Sequence, residues 1–328
     1  MKRVLVIQTA FIGDVILATP VIEKLHQAYP QLIIDFMLRK GNEGLLEGHP
    51  FLNRVLIWDK KQGKYAQLRK LIGEIRAQQY DYVINLQRFF TTGLITVLSG
   101  GTKTIGFDKN PLSSFFSYRY PHIIDTEKGN IHEVDRNLSL LSRLTDVNER
   151  VNPRLYPRPN DFELVKHEGK YVTMSPTSVW FTKQYPLEKW VEVVNLVPSD
   201  FTVFLLGGKS DGEACEQIKA QTSHPNVVVK AGQLDFLASA ALMKNAEMNY
   251  VNDSAPMHLA SAVDAPVTAI FCSTVPAFGF GPLSSRSRVV EVNRILDCRP
   301  CGLHGYQACP KGHFNCSDIS AKEIVGNL

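Results

Sequence analysis

The chain has 328 residues, 44% of them hydrophobic and 21% charged, with a formal net charge of +4. This length favours two domains of ordinary globular composition and excludes a disordered polymer. No apolar run approaches the ~20 residues of a membrane span, and the short run at residues 4–7 stops at Gln8 and Gly13-Asp14, so it reads as a buried first strand rather than a secretion signal.

The charge is uneven. Residues 1–160 carry 22 Lys+Arg against 15 Asp+Glu, and residues 161–328 carry 14 against 17. A basic first half suits an anionic partner, such as a phosphorylated lipid or a membrane surface, as well as it suits a plain solvated face. The basic residues are spread rather than gathered into runs, so nucleic acid is not expected.

In chain order, residues 4–7 predict a strand, 15–29 a helix, 32–38 and 55–58 strands, 65–78 a helix, 82–86 a strand and 133–144 a helix. Alternation of this kind with short apolar strands predicts a parallel sheet covered on both faces. Residues 152–160 hold Pro153, Pro157 and Pro159 and predict a linker, dividing the chain into domains 1–155 and 156–328. The alternation then restarts, with strands at 171–174, 201–206, 227–229, 248–251 and 267–271. Helices are expected at 187–197, 213–221, 236–244 and 257–263. The pattern fits two-domain glycosyltransferases, two-lobed binding proteins and some dehydrogenases alike.

Four loops and a cysteine cluster carry the chemistry. The loop Gln8–Pro20 joins the first strand to the first helix, where open α/β sheets bind ligands. Gly13 allows a tight backbone, and Asp14 serves either as a helix cap or as a proton acceptor. The loop lacks G-x-G-x-x-G spacing, which argues against a dinucleotide cofactor. In Ser175–Trp190, hydroxyls and amides can hold phosphate oxygens, with Lys183 as a point charge. After Gly207-Gly208, the carboxylates of Asp211 and Glu213 can accept from ribose hydroxyls, or the segment is an ordinary turn. In Asn252-Asp253-Ser254-Ala255-Pro256-Met257-His258, a helix start offers N–H groups to a diphosphate, and His258 can donate to the same oxygens. Last, Cys298, Cys301, Cys309 and Cys316 fall within 19 residues. A structural zinc, reduced packing thiols and disulfides all fit that density, and the second half lacks a C-x2-C pair.

These motifs resemble those of glycosyltransferase family 9, the ADP-heptose:lipopolysaccharide heptosyltransferases. The likeness lies in Ile12-Gly13-Asp14-Val15 through Thr19-Pro20, in Trp180-x-Thr182-Lys183-x-x-Pro186 and in Asn252 through Ala260. The tail through Gly312-His313-Phe314-Asn315-Cys316 is similar to the heptosyltransferase II branch. One departure is Ala255, where the family usually has glycine. The resemblance implies a GT-B fold, two Rossmann-like parallel-sheet domains facing across a cleft. It implies an acceptor on the N-terminal domain and a nucleotide sugar on the C-terminal one. The transfer would be inverting, with Asp14 as base and Lys183 stabilising the leaving group. Thr182, Asp211, Glu213, Asn252, Asp253, Ser254, Ala255, Met257 and His258 would surround the donor. Gly13, Arg88 and Arg119 would meet the acceptor, with Lys103, Lys109 and Arg136 as further contacts. No cofactor would be required for catalysis. ADP-heptose, a lipopolysaccharide-core acceptor, peripheral membrane contact and a cytoplasmic location at the inner membrane complete the expectation. The alternatives are another nucleotide sugar or acceptor, and a non-catalytic two-lobed binder.

Overall fold

The computed structural model describes residues 1–59, 64–124, 131–326 and 328. The chain divides into two compact units that meet in sequence at Tyr156 and Pro157.

The first unit is built on a six-stranded sheet. Its strands are β1 (Arg3–Ile7), β2 (Ile33–Arg39), β3 (Arg54–Trp58), β4 (Tyr82–Asn85), β5 (Lys103–Phe107) and β6 (Tyr118–Tyr120). All pairings are parallel and the order is β3-β2-β1-β4-β5-β6. Val4, Leu5, Val6 and Ile7 are fully buried, as expected of a central strand covered on both faces. The helix predicted at residues 15–29 is two helices, Ile12–Ile16 and Thr19–Ala28. Pro20 lies in the first turn of the second, where its missing N–H costs nothing, and that starts a new helix. The helix expected at 133–144 ends earlier, spanning Glu133–Ser139.

The second unit repeats the plan with β7 (Tyr171–Ser175), β8 (Thr202–Leu205), β9 (Val227–Val229), β10 (Met248–Asn252), β11 (Val267–Phe271) and β12 (Ser287–Glu291). The order is β12-β11-β10-β7-β8-β9, again all parallel. Renumbered within each unit, both sheets run 3-2-1-4-5-6, the doubly wound order whose switch point lies between strands 1 and 4. The loops after β1 and β4, and after β7 and β10, are therefore the places where a ligand crevice forms. Part of the expected linker is structured: Pro159 opens the helix Pro159–Leu164, capped by Arg158 and Asp161.

Candidate active site

In the first unit, the loops at the carboxyl edge are tied together by side-chain amides. Asn42 Nδ2 donates to Ala10 O (3.0 Å), and Asn110 Nδ2 donates to Gln87 O (3.0 Å) and Phe89 O (3.1 Å). Gln87 Nε2 donates to Gln8 Oε1. On this frame the helix Ile12–Ile16 presents Gly13 and Asp14. Asp14 Oδ2 accepts from Phe11 N at 3.1 Å, so the carboxylate does cap its own helix. Desolvation nevertheless lifts its pKa to about 6, and the Glu133 charge adds to the lift; the N–H groups of Phe11 and Asp14 and the Arg39 charge oppose it without cancelling it.

Glu133 behaves oppositely. Burial pushes it up, but His122 and Arg136 outweigh that and hold it below the usual carboxylate range. Arg136, expected among the acceptor contacts, is 4% exposed, and its guanidinium is committed to Glu133 (2.6 Å) and to Ile131 O (2.6 Å). Arg88 is exposed after β4 and lies over the Phe89 ring, and Arg119 is exposed on the edge strand β6. Lys103 and Lys109 are also exposed.

In the second unit, one ion pair spans the switch point. Lys183, at the end of the short 3-10 turn Phe181–Lys183 after β7, places Nζ 2.7 Å from Asp253 Oδ2, just after β10. Thr274 Oγ1 donates to the same Asp253 oxygen at 2.5 Å. Thr182 is 1% exposed; its Oγ1 accepts from Tyr306 N (2.8 Å) and from Ser273 Oγ (3.0 Å). Asn252 is fully buried and braces two loops, donating to Pro176 O (2.8 Å) and accepting from Tyr185 N (3.0 Å).

Ser254 is the N-cap of the helix Ala255–Ala262. Ala255 and Pro256 occupy its first turn with partial exposure, and Met257 and His258 are buried. Ala255 is helical, so this position places no demand for a glycine backbone. Asp211 Oδ2 turns back to accept from Gly208 N (2.7 Å), and Glu213 is exposed beside Gln217 (3.4 Å). The structure thus brings together Thr182, Lys183, Asn252 and Asp253, and gives Asp211 and Glu213 local partners in a separate turn.

Of the three readings open for the cysteine tail, a metal site is one. Among the described residues, no group of three or more His, Cys, Asp and Glu side chains is arranged to hold a metal ion. Cys316 is buried in the apolar core of this unit, and burial pushes its thiol up to about 11. Cys301 Sγ donates to Cys298 O at 3.1 Å, and Cys298 Sγ lies 4.0 Å from His313 Nε2. Burial pushes Cys309 up, but backbone N–H groups from Lys311 to Phe314 outweigh it and hold the thiol below its usual range.

Sequence reading overlooked Ser273, Thr274, Arg299 and Tyr306. The polar pair Ser273-Thr274 directly after β11 was a usable signal, because strand carboxyl ends form the crevice. Arg299 sits among cysteines and carries no local signal of its own.

Two doubly wound sheets with a cation–carboxylate pair at one switch point define a two-unit α/β enzyme of the GT-B class. Residues 68–304 match the model of glycosyltransferase family 9 (heptosyltransferase), and the chain belongs to that family; it is a glycosyltransferase. The matched stretch includes Lys183 and Asp253 and begins after Asp14. The chain is 29% identical over 280 residues to lipopolysaccharide heptosyltransferase 3 of Escherichia coli, spanning 80% of this chain and 82% of that protein. The solved structure of E. coli ADP-heptose lps heptosyltransferase II matches with a TM-score of 0.81 at 22% identity, over 99% of this chain and 96% of that one. E. coli heptosyltransferase WaaC with ADP matches with a TM-score of 0.73 at 20% identity, over 88% and 92%. At these identities the two structures speak for the fold.

Proposed function

We propose that the chain transfers a heptose from ADP-heptose to the inner core of lipopolysaccharide, with inversion at the anomeric carbon. The observation that carries this reading is the Lys183–Asp253 pair joining the loops after β7 and β10 (2.7 Å). A cation held at a switch point by a carboxylate can exchange that partner for a diphosphate without moving far. The nucleotide sugar belongs on the second unit, and the acceptor on the first.

An acceptor hydroxyl attacks the anomeric carbon as the bond to the diphosphate breaks. Asp14 takes the hydroxyl proton. With a pKa of about 6 it is mostly ionised at neutral pH, yet more basic than an ordinary aspartate. Charge developing on the diphosphate is met by Lys183 and by the positive N-terminal end of the helix Ala255–Ala262. Ser254 and His258 line that helix start, and Asp253 is freed to accept from sugar hydroxyls. The reaction needs no metal, and chelator should leave turnover unchanged. Gly13, Arg88 and Arg119 are assigned to the acceptor, Arg88 and Arg119 as exposed cations for its phosphates. Among the described residues no helix is long and apolar enough to cross a membrane. We assign the protein to the cytoplasmic face of the inner membrane, held by its basic first unit. The Cys298–Cys316 tail is assigned a structural role.

A second donor is favoured by one residue. Ala255 puts a methyl group, partly exposed, at the helix start that would face the diphosphate and sugar. A panel of ADP-, GDP- and UDP-sugars separates the readings. The direct test is acceptor-dependent ADP release from ADP-heptose, comparing wild type with Asp14→Asn. The proposal expects release in the wild type, and a loss of about 10²–10⁴-fold in a variant that still binds ADP. Equal rates in the two proteins would return Asp14 to a helix cap.

A further inference from the structure

The segment that follows β12 reaches back onto the ends of β7 and β11 with an unusual number of hydrogen bonds. Arg299 is the knot. Its Nε donates to Cys272 O (2.7 Å), and its Nη2 donates to Thr274 O (2.6 Å) and Phe271 O (3.2 Å). The same guanidinium pairs with Glu291. The carbonyls of Phe271, at the end of β11, and of Cys272 and Thr274 just beyond it are held together by the planar fork of one arginine.

Two residues on, Cys301 N donates to Ser273 O at 2.8 Å. Further on, Thr182 N donates to Tyr306 O (3.1 Å) while Tyr306 N donates to Thr182 Oγ1 (2.8 Å). Ser273 Oγ completes the set on Thr182 (3.0 Å). Gly305 makes this approach feasible. Its φ is +79°, and an added Cβ would lie 2.9 Å from Thr182 Oγ1 and 3.3 Å from Lys183 Cγ.

From this geometry we infer that residues 299–306 form a strap that positions Thr182-Lys183 and Ser273-Thr274, with Arg299 and Gly305 as positioning residues for the donor. The inference rests on the reading of the Lys183–Asp253 region as the donor site. Through Ser273 and Thr182 the strap fixes the backbone that carries Lys183. Through Thr274 it fixes the hydroxyl bonded to Asp253. Neither Arg299 nor Gly305 need touch the nucleotide sugar; both act through residues that would. Displacement of such a loop by about 1 Å costs up to about a hundredfold.

The test compares Arg299→Gln, Gly305→Ala and Tyr306→Pro with the wild type, using the full chain. Tyr306→Pro removes the N–H that donates to Thr182 Oγ1, and melting temperatures of every variant separate a fold defect from lost positioning. Ile295→Ala, at a fully solvent-exposed side chain outside the strap, serves as the control. Titration calorimetry with ADP and initial rates with varied donor and acceptor are the readouts. The strap predicts a rise of about tenfold or more in donor KM and in the Kd for ADP. Acceptor KM should stay within about twofold, and Ile295→Ala should behave as wild type. A Gly305→Ala, Thr182→Ala pair should be non-additive, because the second change removes the atom that the first one strikes. If the wild type binds ADP and the three variants match it, the strap is wrong. Lower melting temperatures with unchanged donor KM would equally reduce it to a fold element. If the wild type neither binds ADP nor turns over, the donor reading itself fails.

Discussion

The two units share one strand order and handle charge at their switch points in opposite ways. At the second, a lysine and an aspartate face each other at 2.7 Å, and a threonine hydroxyl fills a further lone pair of the acid. At the first, the loops are held by neutral amides, and Asp14 has only backbone N–H partners and no cation at salt-bridge distance among the described ion pairs. The first unit also shows what a structural acid looks like. Asp35 is fully buried and accepts from Asn53 Nδ2 (2.8 Å), Arg54 Nε (2.9 Å) and the Tyr80 hydroxyl (2.5 Å). Asp14, desolvated and with few donors, holds its proton more tightly. On the function proposed above, the same fold gives a cation placed to trade partners in one unit and a proton acceptor of raised pKa in the other.

The largest test of that contrast is Lys183→Ala. If Lys183 meets the leaving group as proposed, its removal should lower kcat by about 10²–10³-fold. Asp253→Asn should cost clearly less if the acid only parks the lysine; equal losses would mean that the pair acts as one unit. For Asp14 the pH profile is decisive. Activity that depends on the ionised acid should fall tenfold per pH unit below about 6. A profile flat to pH 5 would remove Asp14 from proton transfer.

Stability should move the other way, and the sign follows from linkage. The folded pKa of Asp14 is raised, so the protonated form favours the fold. Its contribution is present below the ordinary carboxylate value and lost as pH rises through about 6. Asp14→Asn should therefore be more stable than wild type at pH 8, by up to about 3 kcal/mol. The gap should close between pH 6 and pH 4 in urea melts. A base that destabilises its own fold is the trade expected of a functional acid; a variant less stable than wild type at pH 8 would contradict it.

Much of this was legible in the sequence, for a physical reason. Central strands of parallel sheets are buried on both faces, so β1 reads as an unbroken apolar run over Val4–Ile7. Edge and near-edge strands need not obey that logic. β6 (Tyr-Arg-Tyr), β12 (Ser-Arg-Val-Val-Glu) and β5, with its lysine and glycine, lack a continuous apolar signal and were not predicted. The helix Phe90–Leu98 was missed as well, because Thr91, Thr92 and Gly93 weaken its start. At the site, motif position identified the loops but not what each side chain does there. Asn252 and Thr182 look like ligand contacts in sequence and are buried braces in the fold. Their partners lie 67 to 124 residues away, beyond the reach of any local pattern.

The smallest expected effects separate Asp211 from Glu213, which sequence reading treated as equivalent ribose ligands. Asp211 accepts from Gly208 N, and its Cβ packs where only a glycine at 207 leaves room, 2.7 Å from a built Cβ. Asp211→Ala should cost about 1 kcal/mol of stability through the lost cap. Glu213 is exposed, with a single 3.4 Å contact to Gln217, and its removal should change stability by less than about 0.5 kcal/mol. If the donor ribose is held in this turn, one of the two variants must also raise donor KM. Glu213→Ala is the cleaner probe, because its carboxylate has so little structure to lose. A donor KM unchanged in Glu213→Ala but raised in Asp211→Ala would show that the Gly207-Gly208 turn, rather than a free carboxylate, shapes the ribose end of the site.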